Sequence, residues 1–584
     1  MSYRIDINAL RAIAILLVIC FHIDPNTCPG GFLGVDMFFI ISGYLITKSI
    51  TLKQDENNFS LWVFFKARIM RLLPALYFMM SWVFLAAYYL MLPDPLENFG
   101  QSVVSTVLIC NNYLLLFTSG YWDLSSEYKP LLHTWSLGVE EQFYLIFSII
   151  LALTYKIGKK PTSFTIIALT VGSAALYFIL RSMDTWNFNL AFYSLPTRFW
   201  QFGLGFILAR YDQACGNKCK VKIPTICHYV IFVLILIQYE EEKHEYYLVA
   251  CMLLTSLFLF TEQNDETFLI RAGVVQKIGR MSYSLYLWHY PIFALLRILV
   301  KDPVTSKYYL YSLPLVWILS SLSFKGIEQK FTGRTDNTRL VLVLSYGIFL
   351  FIAGLALHLS HGLPGRVFSS KEAAERSTHE IKVFDHRRYR KKEFDDIEKT
   401  NILITGDSYA ADFIYIIEPL INSNQYEIAL HHFLPNDFLE NKKDKLIQEA
   451  EIIVFAQDEI YVKSEVSKII SEITPSKKVY FSGTKHFGSN LNWLARIPQS
   501  QRINLCQAPN IEFIVAEEAN IRNILPRNYL SLFEIGMNED KKLKITNERG
   551  ELISSDRKHL TVAGVELWRD LFLDKKVVSR ILGD

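Results

Sequence analysis

Apolar residues are unevenly placed along this chain, and their placement limits what it can fold into more than any other feature. From Ala9 to about Leu359, apolar runs of helix-spanning length follow one another between short polar loops. A helix needs about 20 mostly apolar residues to cross roughly 30 Å of hydrocarbon. Eleven spans are expected, near 5–22, 31–50, 72–92, 132–154, 163–181, 190–211, 226–239, 245–261, 281–300, 308–325 and 339–359. Asn111 and Asn112 interrupt a further run, Ser102–Phe117, which reads as a re-entrant or interfacial piece. Only 20% of the residues are charged, against about 25% in soluble proteins. A net charge of +3 supplies no field for nucleic acid as a partner.

Charge placement tests the count. With the N-terminus inside, the inner loops hold about twenty basic residues, among them Arg4, Lys66, Arg68, Arg71 and the 210–222 group. The outer loops hold about five, and basic loops favour the cytoplasmic side. An odd number of spans then puts everything after His361 outside. The first run has no small-residue cleavage site and is followed by a second span, so it reads as a signal anchor. The expected organisation is a membrane domain over 1–335, an additional transmembrane helix over 336–360, a charged linker over 361–399 and a soluble domain over 400–584. Cys215 and Cys219 fall in an inner loop and are expected as reduced thiols; no metal site is expected.

The last segment changes pattern. Short apolar strands are expected at Asn401–Thr405, Glu427–Phe433, Ile452–Ala456, Lys478–Phe481 and Ile511–Val515, with helical or loop segments between them. Strands alternating with helices imply a parallel sheet covered on both faces. The fold class is therefore a polytopic α-helical membrane domain followed by an α/β domain.

Ionisable groups inside spans are expensive, which makes each a functional candidate. Arg11 and His22 lie eleven residues apart in the first span, about three helical turns, so they face the same way. Glu140 and Tyr144 are i,i+4 neighbours in the fourth, and Arg198 stands in the sixth. Each also has a plain reading: Arg11 and the Lys66–Arg71 cluster as inner-surface anchors, His133 and His289 as interfacial histidines, the tryptophans as belt residues. Several His, Glu and Arg on separate spans argue together for a polar pathway.

These strings resemble the acyltransferase-3 family of multispanning membrane O-acyltransferases. The resemblance rests on Arg11 and His22, Gly34-Val-Asp36-Met-Phe-Phe39, Ser42-Gly-Tyr-Leu45, Arg68-Ile-Met-Arg71-Leu-Leu-Pro74, His133–Tyr144 and Ser282–Pro291. It covers about residues 1–335. It implies transfer of an acyl group, usually acetyl, from cytoplasmic coenzyme A to a carbohydrate hydroxyl outside, with His22 and Arg11 most directly tied to activity. In that family an acid usually follows the aromatic after the sixth-span arginine; here Gln201 stands there. A neutral histidine suits a general base or acyl acceptor, and an anionic donor needs cationic clamps, for which Arg11, Lys66, Arg68, Arg71 and Arg198 are the candidates.

The α/β segment has its own motif. Its first strand ends in Gly406-Asp407-Ser408, and Asp556-Arg-Lys-His559 precedes a helix expected over Val562–Leu573. A serine at a strand-to-helix turn has helix-start N–H groups beside it, and Asp-x-x-His brings a carboxylate to a histidine ring. The pattern resembles the SGNH hydrolase fold, which implies Ser408, Asp556 and His559 as a triad. Its Gly and Asn oxyanion positions have no clear match; Asn436, Gln457 and Gly483 are the nearest.

The fused arrangement resembles bacterial enzymes that O-acetylate lipopolysaccharide O-antigen or peptidoglycan. The expected function is O-acetyl transfer from acetyl-CoA, as a donor substrate with no permanently bound cofactor, to an envelope glycan, most of all O-antigen. Catalytic candidates are His22, Glu140, Ser408, Asp556 and His559. The expected setting is the bacterial inner membrane, with the α/β domain periplasmic. Direct transfer by the membrane domain, with the α/β domain only holding glycan, is the rival. A polytopic transporter with an accessory domain is the alternative of another class.

Overall fold

The computed structural model of the chain describes residues 4–118, 126–155, 158–183, 185–215, 237–260, 272–301, 304–333, 336–378, 386–396, 398–433, 435–457, 461, 463–473, 476–488, 490–508, 521–523, 525, 528–556 and 558–583. Two compact units result: Met1–Tyr88 with Phe99–Arg297 and Val304–Ala356, and Tyr89–Asn98 with Ile298–Pro303 and Leu357–Asp584.

The apolar part is helical. Its helices are α1 Ile5–Ile23, α2 Gly34–Asp55, α3 Leu61–Leu90, α4 Pro93–Val107, α5 Asn111–Thr118, α6 Thr134–Tyr155, α7 Lys159–Arg181 and α8 Thr185–Tyr193. They continue with α9 Leu195–Cys215, α10 His244–Phe260, α11 Gly273–Arg280, α12 Ser282–Leu299, α13 Ser306–Ser323 and α14 Asn337–Leu359. Among the described residues seven helical stretches are long and apolar enough to cross a membrane: α1, Gly31–Asp55, α3, Thr134–Thr154, Lys160–Arg181, Ser306–Phe331 and α14. The chain is therefore a multi-pass membrane protein.

All seven stand at positions where spans were expected. Helices form at three more of the expected positions, but α10 has 17 residues, α9 carries Arg198, Gln201, Arg210 and Asp212, and α12 is rich in Ser, Tyr and His. Burial inside the bundle, with Arg198 at 3% and His289 at 0% exposure, lets those two be polar. The expected span at 226–239 falls almost wholly outside the described residues. Exposed apolar side chains sit on the apolar helices instead, among them Phe164, Val171 and Leu322.

Local sequence explains several contacts. Helices α2 and α9 approach so closely that a Cβ on Gly43 would lie 2.1 Å from the Phe202 carbonyl, and one on Gly205 2.3 Å from that of Ile40. Small residues permit this approach in membrane bundles. The interrupted run at Ser102–Phe117 is two helices, α4 and α5, joined through Ile109 at φ +60°. The asparagines that break it are buried and used: Asn111 donates to Leu131 O at 3.0 Å and Asn112 to Tyr193 O at 3.0 Å.

The second unit holds the sheet. Five parallel strands run in the order β2 (Tyr426–His431), β1 (Thr400–Gly406), β3 (Ile452–Ala456), β4 (Lys478–Ser482) and β6 (Tyr529–Leu530). The short β5 (Cys506–Gln507) and β7 (Leu543–Lys544) pair antiparallel. Alternation along the strands divides the core in two: Ile402, Ile404 and Val454 face one apolar cluster, Leu403, Ile453 and Phe455 the other. Helices α16 (Ser408–Ile417) and α21 (Val562–Asp574) cover the first face, and α19 (Lys463–Ile473) the second. The intervening helices are α15 (Lys371–Ser377), α17 (Pro435–Glu440), α18 (Lys445–Glu449) and α20 (Leu532–Gly536), and α22 (Val577–Leu582) ends the unit. The edge strand β6 was not anticipated, being two residues long, and the expected strand Ile511–Val515 lies outside the described residues. The segment expected as a linker gives Val367, Phe368, Ala373, Ala374 and Tyr389 to the first cluster.

Strand order 2-1-3 makes the carboxyl end of β1 a topological switch point, where open α/β sheets hold their ligands.

Candidate active sites

The carboxyl end of β1 leads directly to Ser408. The Gly406 backbone, at φ +136°, passes so near β3 that a Cβ would sit 2.1 Å from the Ala456 carbonyl, so only glycine fits. Asp407 caps α16 by accepting the Tyr409 N–H at 3.0 Å. Ser408 is the first residue of α16, so its own N–H is one of the helix-start donors that lack an intrahelical partner.

The structure brings Ser408, Asp556 and His559 together. Ser408 Oγ is 2.6 Å from His559 Nε2, and His559 Nδ1 is 2.5 Å from Asp556 Oδ2. The Asp556 carboxylate also accepts the backbone N–H groups of Lys558 and His559 at 2.9 and 2.8 Å, which fixes the turn. Ser408 and His559 are buried, at 2% and 3% exposure. Burial pulls the pKa of His559 down, but the Asp556 carboxylate, through charge and hydrogen bond, and Asp412 outweigh it; Lys485 opposes them, and the net shift is upward from 6.5. This arrangement can deprotonate a serine hydroxyl and hold the resulting imidazolium.

Of the oxyanion candidates, Gly483 donates its N–H to Leu530 O at 2.8 Å and is spent on the sheet. Gln457 follows β3 directly, beside the Gly406–Ala456 register pair, and is buried. The Asn436 side chain lies outside the described residues.

In the helical unit a cavity of about 100 Å³ is lined by Arg11, Ser42, Arg68, Arg71, Ser136, Glu140, Tyr144 and Tyr286, with apolar residues of α2 and α3. The Glu140 carboxylate accepts hydrogen bonds from Ser42 and Tyr144. The Arg68 guanidinium lies 4.9 Å over the Tyr144 ring. Arg11, Arg68, Arg71 and Glu140 thus share one cavity.

His22 is elsewhere. Its ring lies 4.8 Å from that of Tyr290 and 5.4 Å from that of His289, and His133 stacks on Tyr290 at 5.5 Å. His289 Nδ1 lies 2.8 Å from the Tyr286 carbonyl. A carbonyl can only accept, so Nδ1 carries the proton and Nε2 keeps its lone pair. Nε2 is buried with no hydrogen-bond partner among the described residues. Tyr286 joins the two places: it lines the cavity, and its hydroxyl shares a 2.5 Å hydrogen bond with Ser136 and donates to His133 O at 2.8 Å.

Two expected donor clamps are occupied otherwise. Arg198 pairs with Asp36 at 2.9 Å, and Gln201 donates to the same carboxylate oxygen at 2.7 Å. An acid at position 201 would set two carboxylates against one arginine; the glutamine donates instead. Lys66 donates to Asn337 Oδ1 at 2.6 Å. Neither Arg198 nor Lys66 lines the cavity. Sequence reasoning undervalued His133, His289 and Tyr286, whose burial no spacing reveals. It also passed over Glu328, which lies in a π-turn, Phe324–Glu328, and accepts from Ser284 at 2.8 Å. Its signal was a single acid closing an apolar run, and π-turns recur at functional sites.

The sequence profile of a family described as "Acyltransferase domain" matches residues 4–359. The peptidoglycan O-acetyltransferase OatA of Listeria monocytogenes is 29% identical over 347 residues, 56% of this chain and 55% of the relative. A putative O-acetyltransferase of Staphylococcus aureus is 31% identical over 354 residues, 57% of this chain and 58% of the relative. The O-acetyltransferase OatA of Staphylococcus aureus is 25% identical over 507 residues, 81% of each chain. The chain thus spans a little over half the length of the first two relatives. No solved structure matches it.

Proposed function

The chain belongs to the acyltransferase-3 family through its residues 4–359, and from that premise we propose that it is a two-stage O-acetyltransferase acting on an envelope glycan. The membrane unit takes acetyl from acetyl-CoA on the cytoplasmic face. Arg11, Arg68 and Arg71 hold the anionic donor, and Glu140 with Tyr144 orders the cavity. His22, with His133 and His289 around it, accepts the group or removes a proton.

The α/β unit, resembling the SGNH hydrolases, then carries the acetyl. Ser408 Oγ attacks the acyl carbonyl as its proton passes to His559 Nε2; the tetrahedral adduct collapses, and the leaving group takes the proton. A sugar hydroxyl next attacks the acetyl-serine carbon while His559 removes its proton and returns it to Ser408. Asp556 holds the imidazole in the required tautomer. Gln457, which follows β3 directly, is the proposed oxyanion donor. The two-stage scheme suits a coenzyme too polar to cross a bilayer.

The observation that carries this reading is the hydrogen-bonded Ser408–His559–Asp556 set in the same chain as the acyltransferase unit. The Listeria relative's name favours peptidoglycan as the acceptor over the O-antigen expected from the sequence. The N-terminus is proposed to be cytoplasmic and the α/β unit extracytoplasmic; a reporter fused after residue 370 should report outside and one within 211–225 inside. Glycan NMR of cells carrying wild type, Ser408→Ala or His22→Ala tests the scheme. O-acetyl signals should vanish in both variants. Signals retained in Ser408→Ala alone would favour direct transfer by the membrane unit.

A further inference from the structure

One helical turn beyond Ser408 on α16 stands Asp412, 4% exposed; the i,i+4 spacing puts both side chains on one face. Asp412 Oδ2 accepts the backbone N–H of Leu560, the residue after His559, at 3.1 Å. The same oxygen meets Lys485 Nζ at 2.8 Å. Lys485 lies in the loop after β4 and is 1% exposed. Its ammonium sits 3.6 Å over the Tyr409 ring, and the Tyr409 hydroxyl donates to the Lys485 carbonyl at 2.7 Å.

A buried ion pair is a poor way to stabilise a fold, because taking both charges from water costs several kcal/mol and apolar residues of similar volume often do as well. The rest of α16 from Ala410 to Ile417 is apolar or aromatic, so an apolar pair would suit its packing. The position of the pair gives the charges a use. We infer that Lys485 and Asp412 are positioning residues of the Ser408 site. Asp412 ties the helix bearing the nucleophile to the backbone of the base, and Lys485 offsets the Asp412 charge so that Asp556 has the main hold on His559. This rests on the reading of Ser408 as a nucleophile.

The groups facing His559 are Asp556 on its own loop, Asp412 and Ser408 on α16, Lys485 after β4, and the Tyr409 ring at 6.1 Å. The two members of the pair act on the imidazole with opposite sign. Without the lysine cation, two carboxylates face one imidazole, and the base stays charged to higher pH. Without the Asp412 charge, Lys485 acts unopposed, and the base is freed at lower pH.

The test uses the full chain in detergent and the rate at which a fluorophosphonate modifies Ser408, located by peptide mass, as a function of pH. Lys485→Gln should move the acid limb up by about one pH unit and Asp412→Asn down by about one. The double variant should return near wild type, and Lys485→Arg should keep the wild-type limb. Unmoved limbs, or both single variants moving the same way as general loosening would produce, overturn the inference. If Lys485→Gln does not fold, the nearly isosteric Asp412→Asn decides alone: a downward shift supports the inference and an unmoved limb overturns it. Labelling that persists in Ser408→Ala would instead defeat the underlying reading, whereas wild-type labelling at Ser408 without opposed shifts defeats only this inference.

Discussion

The Ser408 site and the intramembrane site are built on different plans. The first joins two short motifs, 151 residues apart, into one hydrogen-bonded set on a single turn and a single loop. The second spreads its polar groups over α1, α2, α3, α6 and α12, and divides them into an arginine- and glutamate-lined cavity and a histidine cluster joined by Tyr286. The difference teaches where each kind of chemistry finds its rigidity. In the α/β fold the carboxyl end of an interior strand and a helix start fix the nucleophile. In a bundle no backbone feature does so, and each charged group depends on partners from other helices.

The largest expected effect separates the two sites most sharply. Ser408→Ala should lower cleavage of an activated acetyl ester by about 10⁵- to 10⁶-fold, while His22→Ala leaves that activity intact and abolishes only acetyl transfer from acetyl-CoA. Equal losses of ester cleavage in both variants would break the contrast. Arg11→Lys should behave like His22→Ala, since lysine offers a point charge in place of a planar fork. Asp556→Asn should cost about 10⁴-fold in ester cleavage by favouring the wrong imidazole tautomer. The buried Asp36–Arg198 pair tests the membrane side as architecture: Arg198→Met should destabilise the bundle by about 3–5 kcal/mol, read as a lowered melting temperature in detergent. The smallest effect is on pH. His559 must be neutral to act, and its pKa lies above 6.5, so ester cleavage should fall as pH drops through that raised value; an acid limb below 6.5 would contradict the Asp556 contact.

How much was legible follows the same contrast. Four of the five central strands, the turn at Gly406–Ser408 and the helix after His559 could be read directly, because alternation and a local motif encode them. The edge strand Tyr529–Leu530 could not, since two residues carry no period. In the membrane unit the ionisable residues were visible, but their grouping was not. Arg11 and His22 share a helix face and yet serve different clusters, and Arg198 looked available until Asp36 was placed against it. Helical spacing tells which residues share a face, not which neighbouring helix meets it. Helices do stand at the expected positions of α9 and α12, where burial replaces apolarity.

The central claim is that acetyl passes through Ser408 on its way outward. Its most direct test is peptide mass spectrometry of the full chain in liposomes, supplied with isotopically labelled acetyl-CoA and no glycan. Labelled acetyl on Ser408 in wild type, absent in His22→Ala and accumulating when Asp556→Asn slows its release, is the predicted result. Labelled acetyl reaching added glycan at the wild-type rate in Ser408→Ala would contradict it.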